Sequence, residues 1–250
     1  MKFNMCIPIP VKFASMGKTK PIIEKAINSK PNLIELRFDY LNNVQTLSIG
    51  FIKNLLNLIQ PIVPVIFTFR ISSEGGQINI SQKKRFKILK MFIEAKPNYI
   101  DIEMNTDENI LGEIINLASL NGVKLIFSYH NYERTLLFNE CLNLIQNFNK
   151  KLIQESPLDT KFLEEKVIKV IFTARSFEDN LIALRLCKEF SNSNQKIISF
   201  CMGTLGYFSR ITCVITGSFL TYTSLDEKTA PGQINIEKMR EIYNLILNNP

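Results

Sequence analysis

Eight times along the chain a short run rich in Val, Ile, Leu and Phe is followed by a stretch whose apolar residues recur every three or four positions. The runs are "MCIPIPV", "NLIELRF", "VPVIFTF", "YIDIE", "VKLIFSYH", "VIKVIFTA", "KIISFCM" and "CVITGSFLTY". The stretches after them are Thr19–Ser29, Ile49–Ile59, Ser81–Ala95, Glu108–Asn121, Leu136–Phe148, Phe177–Ser191, Leu205–Cys213 and Ile236–Leu247. A strand that is apolar at nearly every position must be covered on both faces, and amphipathic helices between such strands supply that cover. Eight units of roughly 30 residues favour a sheet closed on itself over an open one. The expected fold class is therefore α/β, a single (β/α)8 TIM barrel, with residues 1–250 as one domain. One polar irregular segment, 150–166, interrupts the pattern as an expected surface turn or short helix.

Composition narrows the function classes. The five cysteines form no CxxC pair and most lie in apolar stretches, as expected of free thiols in a reducing compartment. The N-terminal apolar run is short and broken by two prolines, and nowhere do 18 apolar residues run together, so a cytoplasmic protein with no membrane role is expected. The net charge is +7, with its densest cluster at "SQKKRFK". Because Phe86, Ile88, Leu89, Phe92 and Ile93 follow at helical spacing, this cluster is expected to be the solvated face of a helix rather than a nucleic-acid site. The overall basicity suits an anionic small molecule.

A barrel of this kind carries its chemistry at the C-terminal ends of its strands. There the chain places Glu35 and Arg37, on one side of the second strand by alternation. Arg70 and "EGG" with Glu74 follow the third strand, and His130 ends the fifth. Lys169 interrupts the apolar sixth strand, Arg210 follows the seventh and "KTAPGQI", with Thr229 and Gln233, the eighth. Each has a plain structural alternative: a lysine in a strand reaches solvent along its own stem, and a lone histidine sits hydrogen-bonded in a core. Arg37 with Asp39, or Arg70 with Glu74, would be ordinary ion pairs. One site accounts for all of them together.

In order, "IELRFD", "TFRISSEGG", "YIDIE", "FSYHNYERT", "KVIFTARSFEDN", "CMGTLGYFSR" and "TAPGQI" resemble the type I 3-dehydroquinate dehydratases. The likeness runs from about Cys6 to Ile242. The resemblance implies syn elimination of water through a lysine Schiff base, no metal or organic cofactor, and a homodimer. It casts Lys169 as the Schiff-base lysine, His130 as general acid/base and Glu74 as the carboxylate that orients it. Glu35, Arg37 and Arg70 would bind ring hydroxyls; Arg210, Thr229 and Gln233 would surround the substrate carboxylate; Met202 and Tyr222 would line the pocket. Thr229 stands where the family usually has Ser, Leu136 where it usually has Pro, and "FTAR" replaces the usual bacterial exit from the sixth strand.

These residue types suit the reaction. An amine condensed with a ketone gives a protonated imine, a stronger electron sink than the carbonyl, so the neighbouring carbon loses its proton more easily. Lys169 must then be uncharged part of the time, and an apolar interior with Arg70 and Arg210 nearby would favour that. Imidazole can collect the proton and hand it to the departing hydroxyl. Gly232 and Pro231 would let the last loop close as a lid. Two alternatives remain at this stage: a Schiff-base aldolase holding a sugar phosphate at "MGTLG", and a catalytically silent binding protein on the same barrel.

Overall fold

The computed structural model describes residues 3–155 and 160–248. Its strands are β1 (Met5–Pro10), β2 (Leu33–Arg37), β3 (Val65–Thr68), β4 (Tyr99–Glu103), β5 (Lys124–His130), β6 (Val167–Thr173), β7 (Lys196–Met202) and β8 (Thr221–Tyr222). Its helices are α1 (Met16–Asn28), α2 (Ile49–Ile59), α3 (Gln82–Ala95), α4 (Glu108–Asn121), α5 (Phe138–Glu155), α6 (Thr160–Leu163), α7 (Glu178–Asn192), α8 (Tyr207–Thr212) and α9 (Ile236–Asn248). All strand pairs are parallel, in the order β7-β6-β5-β4-β3-β2-β1-β8. Between β8 and β7 the wall is bridged by the Phe219 N–H, which donates to the Ile197 carbonyl at 2.6 Å. This is the (β/α)8 barrel that the alternation predicts.

The helices start where the local chemistry starts them. Ser48, Ser81 and Asp107 each accept a backbone N–H of the first turn of α2, α3 and α4, satisfying a donor that the helix leaves free. Packing against the sheet is dominated by large apolar side chains. Phe38, Phe67 and Phe92 form a triangle with ring centroids 4.6–5.1 Å apart, which locks the exit of β2 and β3 against α3. Each such aromatic pair adds roughly 0.5–1.5 kcal/mol beyond the area it buries. Among the described residues no helix is long and apolar enough to cross a membrane.

Two expectations need correction. The run "CVITGSFLTY" is not one long strand: only Thr221–Tyr222 pairs with β1. Residues 213–218 continue as turns from the end of α8, with Thr216 N–H donating to Thr212 and Ser218 N–H to Cys213, and Gly217 takes the left-handed φ of +110°. A short apolar run reads the same in a buried turn as in a strand. The shortness of β8 has a second cause in β1. Even-numbered β1 residues face β8, since Thr221 and Thr223 donate to the Asn4 and Cys6 carbonyls, while Val11 donates to Arg37 of β2. The next donors toward β8 would be residues 8 and 10, and both are proline, with no N–H to give.

The polar segment 150–166 is partly helix: through Glu155 it extends α5, and Thr160–Leu163 forms the short α6. Residues 156–159 lie outside the described residues. Within "SQKKRFK" the lysines are exposed on α3 as expected, but Arg85 is buried and turned inward.

Candidate active site

All eleven residues expected at the site line one pocket at the C-terminal end of the barrel. Lys169 projects from the middle of β6 and His130 from the end of β5. The register pairs Ser128 with Lys169 and His130 with Ile171, so the imidazole stands two residues further up the neighbouring strand than the amine. That offset amounts to roughly 6.6 Å along and 4.8 Å across the sheet, the width of a small ring. Lys169 is buried, and the His130 side chain is 9% exposed.

The surroundings of Lys169 are not the apolar, cation-flanked ones expected. Its Nζ donates to Asp101 Oδ2 at 2.9 Å and to the Tyr222 hydroxyl at 3.1 Å, and lies 3.8 Å from Glu35 Oε1. Glu35 in turn accepts the Thr68 hydroxyl at 2.6 Å. Lys169 is therefore neither a solvent-reaching edge residue nor an isolated amine. It is a buried cation held between carboxylates, as burial of a charge demands.

The arginine pairs also differ in part. Arg37 donates through Nε and Nη2 to the two oxygens of Asp39, both at 2.8 Å, the fork geometry of a guanidinium on a carboxylate. Arg70 does not pair with Glu74. Its Nη2 donates to Asp101 at 2.7 Å and its Nη1 to Glu103 at 2.9 Å, while Arg85 reaches Glu103 from behind. Much of its donor capacity is thus committed to the barrel wall, leaving its outer face to the pocket.

Glu74 ends a single 3-10 turn, closed by Gly75 at φ +85°, where a side chain would also collide with Tyr132. Its Oε2 accepts the backbone N–H of His130 at 3.0 Å and meets the ring Nδ1 at 3.0 Å. Burial raises the Glu74 midpoint to about 8, against the opposing pull of Arg70. Burial, then Arg70 and Lys169, push His130 well below its usual range. Both partners are held toward their uncharged forms at neutral pH, so the pair is a hydrogen bond poised to take or release one proton.

This has a measurable consequence. Because the folded chain holds the Glu74 proton more tightly than the unfolded one, the stability it contributes is full below about pH 4.5 and is lost as pH rises to about 8. His130 acts with the opposite sign, its contribution present above about pH 6.5 and lost on acidification. Urea unfolding of Glu74→Gln from about pH 5 to 8 should show a shallower decline, or a steeper rise, than the wild type. Parallel curves would show Glu74 to be an ordinary carboxylate.

Arg210, on α8, is 1% exposed, stacks its guanidinium 4.4 Å from the Phe200 ring centre, and has no ion-pair partner among the described residues. Burial lowers its midpoint to about 10, and its Nε lacks any acceptor. Such a group has the donors and the charge to receive an anion. The last loop lies against it: Arg210 donates to the Pro231 carbonyl at 3.1 Å, and the Tyr40 hydroxyl donates to that of Thr229 at 3.2 Å. Gln233 accepts the Thr229 N–H at 2.7 Å and donates to its hydroxyl at 3.1 Å. Gly232 sits at φ +75°, and a Cβ there would come within 2.6 Å of the Gly203 carbonyl. Met202 and Tyr222 complete the wall.

Tyr132, Phe200 and Asp101 were not singled out from the sequence. For Asp101 a signal exists: in "YIDIE" the two acids alternate with isoleucines, which puts both carboxylates on one face of β4.

A buried amine, a neighbouring imidazole and an unpaired guanidinium in one barrel mouth are the equipment of an enzyme that works through a Schiff base. The sequence matches the type I 3-dehydroquinase family over residues 5–250, and the chain belongs to that family of carbon–oxygen lyases. It is 31% identical to the 3-dehydroquinate dehydratase of Thermococcus onnurineus over 90% of this chain and 92% of the relative. With that of Pyrococcus abyssi the identity is 32%, covering 91% and 93%. Among solved structures, the type I 3-dehydroquinate dehydratase of Clostridium difficile, with covalently modified comenic acid, superposes with a TM-score of 0.81 at 25% identity, covering 98% of this chain and 92% of that one. The Geobacillus kaustophilus 3-dehydroquinate dehydratase shares the fold, with a TM-score of 0.84 at 22% identity, covering 99% and 92%.

Proposed function

We propose that this chain dehydrates 3-dehydroquinate to 3-dehydroshikimate, with Lys169 as the amine that condenses with the ketone and His130 as the group that moves the proton. The observation that carries this is the amine and the imidazole lining the same pocket from adjacent strands, with Arg210 unpaired in the same wall. Arg210 holds the substrate carboxylate, and the Thr229–Gln233 lid closes over it. Glu35 and Arg37, fixed by Thr68 and Asp39, receive ring hydroxyls together with the outer face of Arg70. Glu74 keeps the imidazole in place from two directions and tunes it.

A neutral imidazole can accept the proton adjacent to the imine and deliver it to the hydroxyl leaving from the same face. Expulsion of water by the lid keeps the imine from hydrolysing before elimination. The working form is a cytoplasmic homodimer, on the family resemblance and on five free, buried cysteines suited to a reducing compartment.

His130→Ala is expected to reduce turnover by roughly 10²–10⁴-fold, the usual worth of an acid/base group, with substrate binding retained. The growth of conjugated-enone absorbance in the ultraviolet measures it, and near-wild-type rates would remove His130 from the mechanism.

A further inference from the structure

We propose that Asp101 is the counter-ion of the Schiff base, the carboxylate that keeps the imine nitrogen on Lys169 protonated while that nitrogen serves as the electron sink. The proposal rests on Lys169 being the amine that condenses with the ketone.

The two oxygens of Asp101 have separate duties. Oδ1 accepts from Arg70 Nη2 at 2.7 Å and from the Ser128 hydroxyl at 2.6 Å; Oδ2 accepts from Lys169 Nζ at 2.9 Å. Asp101 is fully buried and is not part of the pocket wall. It lies behind the amine, where a substrate filling the pocket leaves it undisturbed.

The other groups facing the amine suit this duty less well. Glu35 on β2 is 3.8 Å away, already accepts from Thr68, and lines the pocket where substrate enters. Burial pushes both Cys6 on β1 and Tyr222 on β8 well above their usual ranges, so both stay neutral. His130 on β5 and Arg70 beyond β3 offer no negative charge.

The charge balance favours a fixed anion over a base. Ammonium plus ketone gives iminium plus water: the amine adds to the carbonyl carbon, and two of the three nitrogen protons end on the departing oxygen, which leaves as water. The last stays on the C=N nitrogen. One positive charge stands at this nitrogen before and after condensation, so a permanently ionised neighbour stabilises both states. Asp101 meets that need. Against burial, Arg70 and Lys169 hold its carboxyl well below the usual carboxylate range, so it accepts hydrogen bonds without taking the proton.

The test is borohydride trapping across pH, using an equilibrated mixture of 3-dehydroquinate and 3-dehydroshikimate, with the adduct located by mass mapping. An opposite charge at this distance moves a titration by roughly 1–3 pH units. Trapping on Lys169 and the alkaline limb of kcat should therefore both fall that much lower in Asp101→Asn. Glu103→Gln, which disturbs Arg70 from its other side without touching the amine, should keep the wild-type limb. Superimposable profiles for Asp101→Asn and wild type, or an equal displacement in Glu103→Gln, would overturn the proposal.

Should Asp101→Asn not fold, Raman spectra of the wild-type adduct at pH 9 decide. A C=N stretch that shifts between H2O and D2O supports a protonated imine, and no shift overturns it. Failure of the wild type to form any adduct on Lys169 would instead sink the Schiff-base assignment, and the counter-ion with it.

Discussion

Lys169→Met should bind 3-dehydroquinate and convert it roughly 10⁵–10⁶-fold more slowly than the wild type, the loss typical when a covalent nucleophile is removed from a working unit. Methionine keeps nearly the length and volume of lysine, so no cavity opens, and Asp101 keeps its Arg70 partner and its Ser128 hydrogen bond. The fold should therefore survive the exchange. What disappears is the amine proposed to replace the ketone by an iminium. Because the variant cannot consume its ligand, calorimetry with 3-dehydroquinate itself reports binding, and enone absorbance reports the residual rate. A loss of less than about a hundredfold would mean that elimination runs through the ketone or an enolate, and that Lys169 acts only as a charge.

Arg210→Met carries two expected changes of opposite sign. The guanidinium is fully buried and, among the described residues, has no carboxylate partner and leaves Nε without an acceptor. Exchanging buried ionic groups for apolar ones of similar volume commonly stabilises a fold by about 1–4 kcal/mol. Loss of the two carbonyl contacts and the Phe200 stack offsets part of that gain. In a chain of this size a change of 1 kcal/mol moves Tm by roughly 2–4 °C. The same exchange removes the fork proposed to receive the substrate carboxylate, which should raise KM and lower kcat/KM by roughly 10²–10³-fold. A variant both less stable and normally active would show Arg210 to be a packing residue.

Much of the barrel was legible because strands buried on both faces and helices buried on one leave different periodicities, and eight repeats admit few closures. The same logic fails at "CVITGSFLTY", where apolar content is all the signal there is and buried turns after α8 share it. The pocket residues were legible as a set because strand ends carry polar groups that a core would reject. Their partners were not. Arg70 meets Asp101 and Glu103, which are 31 and 33 positions away and on the next strand, rather than Glu74 nearby. Arg85 leaves an otherwise solvated helix face for Glu103 in the same way. Which charge meets which is decided by register across the sheet, and spacing along the chain does not contain it.

Pro8 and Pro10 carry a consequence for the far end of the chain. Having no hydrogen to offer, they leave the Thr223 carbonyl without a rung on β1, and the backbone lets go of the barrel wall at that height. From there it crosses to the cover that folds down on Arg210 and Gly203. Two imino acids in the opening strand thus mark the height at which a segment more than 200 positions later leaves the barrel wall. The departure is written as an omission: it is where the weave of the cylinder runs out of stitches.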